Sequence, residues 1–173
     1  MDPSVVYTTD QTGHIVFYKA SSGAGCDYTG RSLFTVFTPA VRPLLSRIHE
    51  KVLQTNKSLS LEQRCDDSDT EHHLGLTLTP IQLPDGEPGV HYASELLSSR
   101  PRTEPFPVGT GSGPLVYVCS WCDDAARVSS QSPWEPISSA MSSFPARYSV
   151  SHGICTPCEN YLEAEMDSLS INH

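Results

Sequence analysis

Leu59-Ser60-Leu61-Glu62-Gln63-Arg64-Cys65 and, after an acidic stretch, Leu74-Gly75-Leu76-Thr77-Leu78-Thr79 are the two segments on which the fold turns. In the first, Leu59, Leu61, Gln63 and Cys65 alternate with Ser60, Glu62 and Arg64, and the second alternates leucine with Gly75, Thr77 and Thr79. Successive side chains of a strand point to opposite faces, so each segment is a strand with one mostly apolar face. The acidic run Asp66-Asp67-Ser68-Asp69-Thr70-Glu71 between them is a turn. Neighbouring His72 and His73 point apart on a strand, which makes them a strand start beside that turn rather than a metal pair. Downstream, Pro84-Asp85-Gly86-Glu87-Pro88-Gly89 is a second turn, and Val90-His91-Tyr92-Ala93 returns as a third strand.

Upstream, Leu44, Leu45, Ile48, Val52 and Leu53 recur with helical spacing and end before Asn56. Thr38-Pro39 has the form of an N-cap followed by proline in the first turn. Pro43 would clash with the carbonyl four residues before it, so the regular helix is predicted to start near Arg42. Still earlier, Val5-Val6-Tyr7-Thr8 and Ile15-Val16-Phe17-Tyr18 flank Asp10-Gln11-Thr12-Gly13, the pattern of a hairpin. Residues 19–33 are rich in Gly and Ser and read as loop. His14, His49 and His91 lack partner spacing and receive no role, and Cys26 and Cys65 are read as structural thiols.

Residues 99–114 collect prolines and the run Gly109-Thr110-Gly111-Ser112-Gly113-Pro114, which supports neither ladder nor helix. They divide the chain into parts 1–100 and 115–173 joined by a linker at 101–114, and the two parts are expected to be separable. The formal charge is −9, and from Leu115 onward there are two basic residues against seven acidic ones. Neither part is a basic module that could neutralise rows of phosphates, so nucleic acid is not the expected partner. Met1-Asp2-Pro3-Ser4 has no cationic run leading into an apolar stretch, and nowhere do about 20 apolar residues follow one another. The expectation is a cytoplasmic protein with no membrane partner, in which six cysteines are metal ligands or free thiols rather than a disulfide framework.

The sharpest signal is Cys119-Ser120-Trp121-Cys122, followed after 32 intervening residues by Cys155-Thr156-Pro157-Cys158. Each pair can bend so that two thiolates reach one ion, and the two pairs complete a closed tetrahedral site, the pattern of structural zinc. Local disulfides, a thioredoxin-like redox pair and an iron–sulfur cluster use the same residues. Covalent haem attachment does not, because Asp123 and Glu159 stand where a histidine is needed. His152 is read as a group that orders the second pair, with replacement of a cysteine ligand as the alternative. Leu115-Val116-Tyr117-Val118 enters the first pair as a strand, and Tyr161, Leu162 and Met166 among glutamates follow the second as an amphipathic helix. Strand-borne first pair and helix-borne second pair is similar to a treble clef. Trp121 and Trp134 are read as core of this small module.

The order strand, strand, helical segment, three strands is similar to the PAS sensor fold. Tyr7-Thr8-Thr9-Asp10-Gln11-Thr12-Gly13-His14-Ile15-Val16 resembles the opening hairpin of bacterial PAS-type domains, and Gly30-Arg31-Ser32-Leu33-Phe34 resembles the segment leading into their helix. Arg64-Cys65-Asp66 resembles the end of a later strand, with Asp67-Ser68 in place of the usual Ser-Pro. Val118-Cys119-Ser120-Trp121-Cys122 and Ser151-His152-Gly153-Ile154-Cys155 resemble a small cysteine module that follows bacterial PAS and related sensory domains, although Asp123-Asp124 replaces its basic residues.

The fold class expected is therefore α+β, a PAS-like antiparallel sheet with flanking helices plus a treble-clef-like zinc module. The resemblance implies a sensor, with a small-molecule ligand of the PAS-like part not specified by any residue; the chain shows no Gly-rich phosphate loop, Gly-x-Ser-x-Gly elbow or recognisable output segment, so it is expected to be non-enzymatic and to act through a signalling partner or a homodimer. An interaction adaptor that docks through the zinc module, and a thiol redox protein, are the competing readings.

Overall fold

The computed structural model describes residues 5–20, 27–37, 39–64, 69–103, 109, 111–122 and 124–169. Thr38, Cys26, Cys65 and Asp123 lie outside the described residues, and so do residues 104–108 and 110 of the expected linker.

Strands β1 (Val5–Asp10) and β2 (Ile15–Ala20) form the opening hairpin. Its turn is held by one carboxylate: Asp10 Oδ1 accepts from the backbone N–H of Thr12 (2.8 Å) and His14 (2.9 Å) and from the Thr12 hydroxyl (2.7 Å). Gly13 closes it at φ 82°, with no room for a side chain, because a Cβ there would sit 2.4 Å from Phe34 Cε2. Phe34 belongs to the short helix α1 (Leu33–Val36), whose Leu33 N–H bonds the Gly13 carbonyl at 2.8 Å.

Helix α2 runs Arg42–Thr55, with Pro43 in its first turn, and ends at Asn56 in the left-handed region (φ 50°). Asn tolerates that conformation better than most residues, which makes it an effective helix stop. Val41 is the N-cap, and it makes no side-chain cap. Leu44, Leu45, Ile48, His49 and Val52 form the buried stripe.

The helix lies on a five-stranded antiparallel sheet of order β2-β1-β5-β4-β3, where β3 is Leu59–Arg64, β4 Thr70–Gln82 and β5 Pro88–Pro101. Leu59 stands opposite Leu78, Leu61 opposite Leu76, and Leu78 opposite Tyr92, so the alternating leucines share the face beneath α2. Both β4 and β5 outrun the predicted strands. Pro101, expected as the first linker residue, is the last residue of β5. The extension is held by charge pairing across the strands: Arg100 Nε donates to Glu71 Oε2, and Arg64 lies 3.5 Å from Glu71 Oε1.

The C-terminal third has a second sheet, order β8-β7-β6-β9, from β6 (Leu115–Cys119), β7 (Ala125–Arg127), β8 (Glu135–Pro136) and β9 (Ser149–Gly153). Neighbours β6 and β7 are antiparallel, while β6 and β9 are parallel. A short helix α3 (Ile137–Ala140) follows β8, and α4 (Thr156–Ser168) closes the chain's described part. Cys119, Ile154, Cys155, Leu162 and Met166 belong to the same buried apolar cluster as Ile48, Val52, Leu59 and Tyr92. The expectation of two separable parts thus meets a continuous core, because α4 lays its apolar stripe against α2 and the sheet edge.

Candidate metal centre

β6 delivers Cys119 to the centre on a strand whose Val116 and Val118 are fully buried. The chain then bends through Ser120 and Trp121 to Cys122. Register does the rest, since Cys119 lies beside Gly153 of β9 and Ser120 N–H bonds the Gly153 carbonyl at 3.0 Å. Two residues beyond Gly153, Cys155 is the N-cap of α4, and Cys158 lies in that helix's first turn.

The four sulfurs all lie within 4.8 Å of one another. Cys122 Sγ and Cys155 Sγ are 3.8 Å apart, far beyond a disulfide bond of about 2.05 Å. A tetrahedral zinc with bonds of about 2.3 Å separates its sulfurs by about 3.8 Å, so the donor set and spacing both fit such an ion. Cys119 and Cys155 are buried, whereas Cys122 and Cys158 are partly open to solvent.

The electrostatics of the cluster ask for a cation. The hydrogen bond from the Cys122 thiol lowers Cys119 to about 4 against the opposing effect of burial, and the backbone N–H groups of Cys122, Cys155 and Trp121 add to it. Cys122, as donor in that pair, is pushed up, and burial pushes it further. Burial first, then the Cys155 thiol and the charge on Cys119, push Cys158 up to about 12. One negative charge is accommodated and more are resisted; a divalent ion reverses this by stabilising all four thiolates together.

His152 sits half-buried on β9 beside Val118, and burial lowers its basicity. Among the described residues, the group with metal-ligand spacing consists of the four cysteines without it. Trp134 packs its ring over Gly153 and under the Arg127 guanidinium, which also covers Tyr117.

Two features escaped the sequence reading. Arg64, at the end of β3, donates its backbone N–H to the Ser120 carbonyl (3.0 Å) and Nη1 to the Cys122 carbonyl (3.2 Å), holding the first cysteine pair from the other sheet. His49, given no role, is 1% exposed and its Nδ1 is 2.8 Å from the Tyr92 hydroxyl. Tyr92 in turn stacks on Tyr7 with ring centroids 4.6 Å apart. Helical spacing alone could have placed His49 on the buried stripe, one residue after Ile48.

A family profile described as PAS fold matches residues 2–96, more than half of the chain. The chain belongs to the PAS fold family. The PAS match ends before β6, so all four clustered cysteines lie outside it. Solved structures similar to this chain include a domain of an HTR-like protein from Haloarcula marismortui, at 12% identity and TM-score 0.44, covering 54% of this chain and 97% of that one. A sensory box sensor histidine kinase from Vibrio cholerae is 16% identical with TM-score 0.43, covering 54% and 82%. The PAS domain from Bordetella pertussis BvgS is 14% identical with TM-score 0.43, covering 56% and 78%. No curated protein gives a significant match. Among the described residues, no helix is long and apolar enough to cross a membrane.

Proposed function

We propose that this is a non-enzymatic sensory or regulatory protein of the cytoplasm, in which the PAS domain (1–100) is joined through 101–114 to a structural zinc module (115–173). Cys119, Cys122, Cys155 and Cys158 are its zinc ligands, and output passes to a signalling protein or a second copy of the chain. The observation that carries the reading is the four-sulfur cluster, with spacings that fit one tetrahedral ion. A four-thiolate shell leaves no open position for substrate, which supports a structural rather than catalytic metal. Membership of the PAS fold family supports the sensory role.

The thiol redox reading is weaker, because Cys119, the sulfur lowered most, is fully buried, whereas a reactive thiolate needs access. The deciding experiment is native mass spectrometry of untagged protein. One zinc per chain is expected, and a retained small molecule would favour a sensor over a ligand-free adaptor. Iron with sulfide, or a metal-free chain with intramolecular disulfides, would overturn the zinc assignment.

A further inference from the structure

Resting on the zinc reading, we propose that the metal acts as a latch on the PAS domain: its occupancy fixes the outer edge of the five-stranded sheet and the packing of α2, so that zinc affinity and the order of β3 and α2 rise and fall together. The sheet order leaves β3 as an edge strand. Its last residue, Arg64, is bonded to the Ser120 and Cys122 carbonyls, on and between the first two sulfur donors.

The second two donors begin α4, and α4 is fastened to α2. Arg47 reaches Glu159 and Glu163 at 3.0 Å each and Lys51 lies 3.8 Å from Asp167, while just beyond the two helices Lys57 Nζ donates to the Leu169 carbonyl at 2.8 Å. Those ion pairs are largely exposed and contribute little. The seam between the helices is held by Leu162 and Met166, buried in one cluster with Ile48, Val52 and Leu59.

One cysteine pair is therefore attached to β3 and the other to α2, and the pairs are joined by the β6–β9 ladder and by a single ion. Removing the ion leaves only the end of that short ladder to hold the two attachments together. By linkage, zinc binding and the order of β3 and α2 favour each other by one and the same factor. This gives a route by which an event in the PAS domain is felt at the metal, and the reverse.

The test is hydrogen exchange with mass spectrometry on the full chain, zinc-loaded and after removal of zinc by a chelator, under reducing conditions, with metal content measured first. Zinc removal should lower protection at least about tenfold in 59–64 and 44–55 as well as in 115–166, and leave the central strand region 88–93 protected. In a second arm, Arg64→Ala, with all four cysteines intact, should release zinc to a competing chelator several-fold faster. Loss of protection confined to 115–166, or an unchanged release rate in Arg64→Ala, would overturn the latch and leave the zinc site standing. A purified chain with no metal would remove both.

Discussion

Leu162→Ala tests the continuity of the core. Leu162 is 1% exposed and lies in the apolar seam between α4 and the rest of the cluster. Truncating a buried leucine costs about 2–5 kcal/mol, the lost burial plus the cavity left behind. With a urea slope of about 2 kcal/mol per molar for a chain of this size, a loss of about 3 kcal/mol lowers the unfolding midpoint by about 1.5 M. Glu163→Ala on the same helix removes an ion pair whose side chains are 47% and 45% exposed, so its effect should stay below about 0.5 kcal/mol, or about 0.25 M.

Both tryptophans lie in the C-terminal third, so their fluorescence reports that part. Pulsed hydrogen exchange of β4 and β5 peptides at each urea concentration reports the PAS part. With zinc and reductant in fixed excess, both probes should move together in Leu162→Ala. A tryptophan midpoint that falls while the β4 and β5 midpoint stays would refute the continuous core. A shift below about 0.3 M in both would show that Leu162 is not packed as described.

Replacing any one of Cys119, Cys122, Cys155 or Cys158 by Ser should reduce zinc to well below one per chain by elemental analysis, whereas Cys26→Ser and Cys65→Ser should keep it. Zinc should be lost on acidification, because protons compete for the thiolates, and a zinc content constant from pH 7 to 4 would contradict thiolate ligation. Burial lowers the His49 pKa below 6.5, despite the opposing Gln11 carbonyl, so the unfolded chain takes up a proton first; stability is full above about pH 6.5 and declines below it. His49→Asn should flatten that decline in urea midpoints measured between pH 7 and 5. Gly13→Ala forces a side chain into the left-handed region and against Phe34, so a loss of about 1–3 kcal/mol is expected in thermal melts, partly recovered when Phe34 is also truncated.

Local pattern alone determined much of this protein. The alternation of Leu59/Leu61 and Leu74/Leu76/Leu78 states strand and face, since side-chain direction is set by backbone geometry within a few residues. The displacement of the helix start to Arg42 by Pro43, and its stop at Asn56, are likewise local steric events. The four metal-ligand candidates were legible because two closely spaced cysteine pairs encode the chemistry whatever separates them.

Tertiary structure alone decided the rest. That β5 continues to Pro101 depends on Glu71 being within reach of Arg100 and Arg64, a charge pairing assembled across three strands. That His49 is a buried partner of Tyr92 depends on which residue of β5 passes beneath α2. A proline- and glycine-rich stretch states only that its own backbone packs poorly. Whether the surfaces on either side of it fit each other is settled by shape and burial across distant segments, by Arg64 against the first cysteine pair and Leu162 against the cluster containing Val52. Contacts of that range leave no periodicity in the chain, because residues far apart in sequence satisfy them independently.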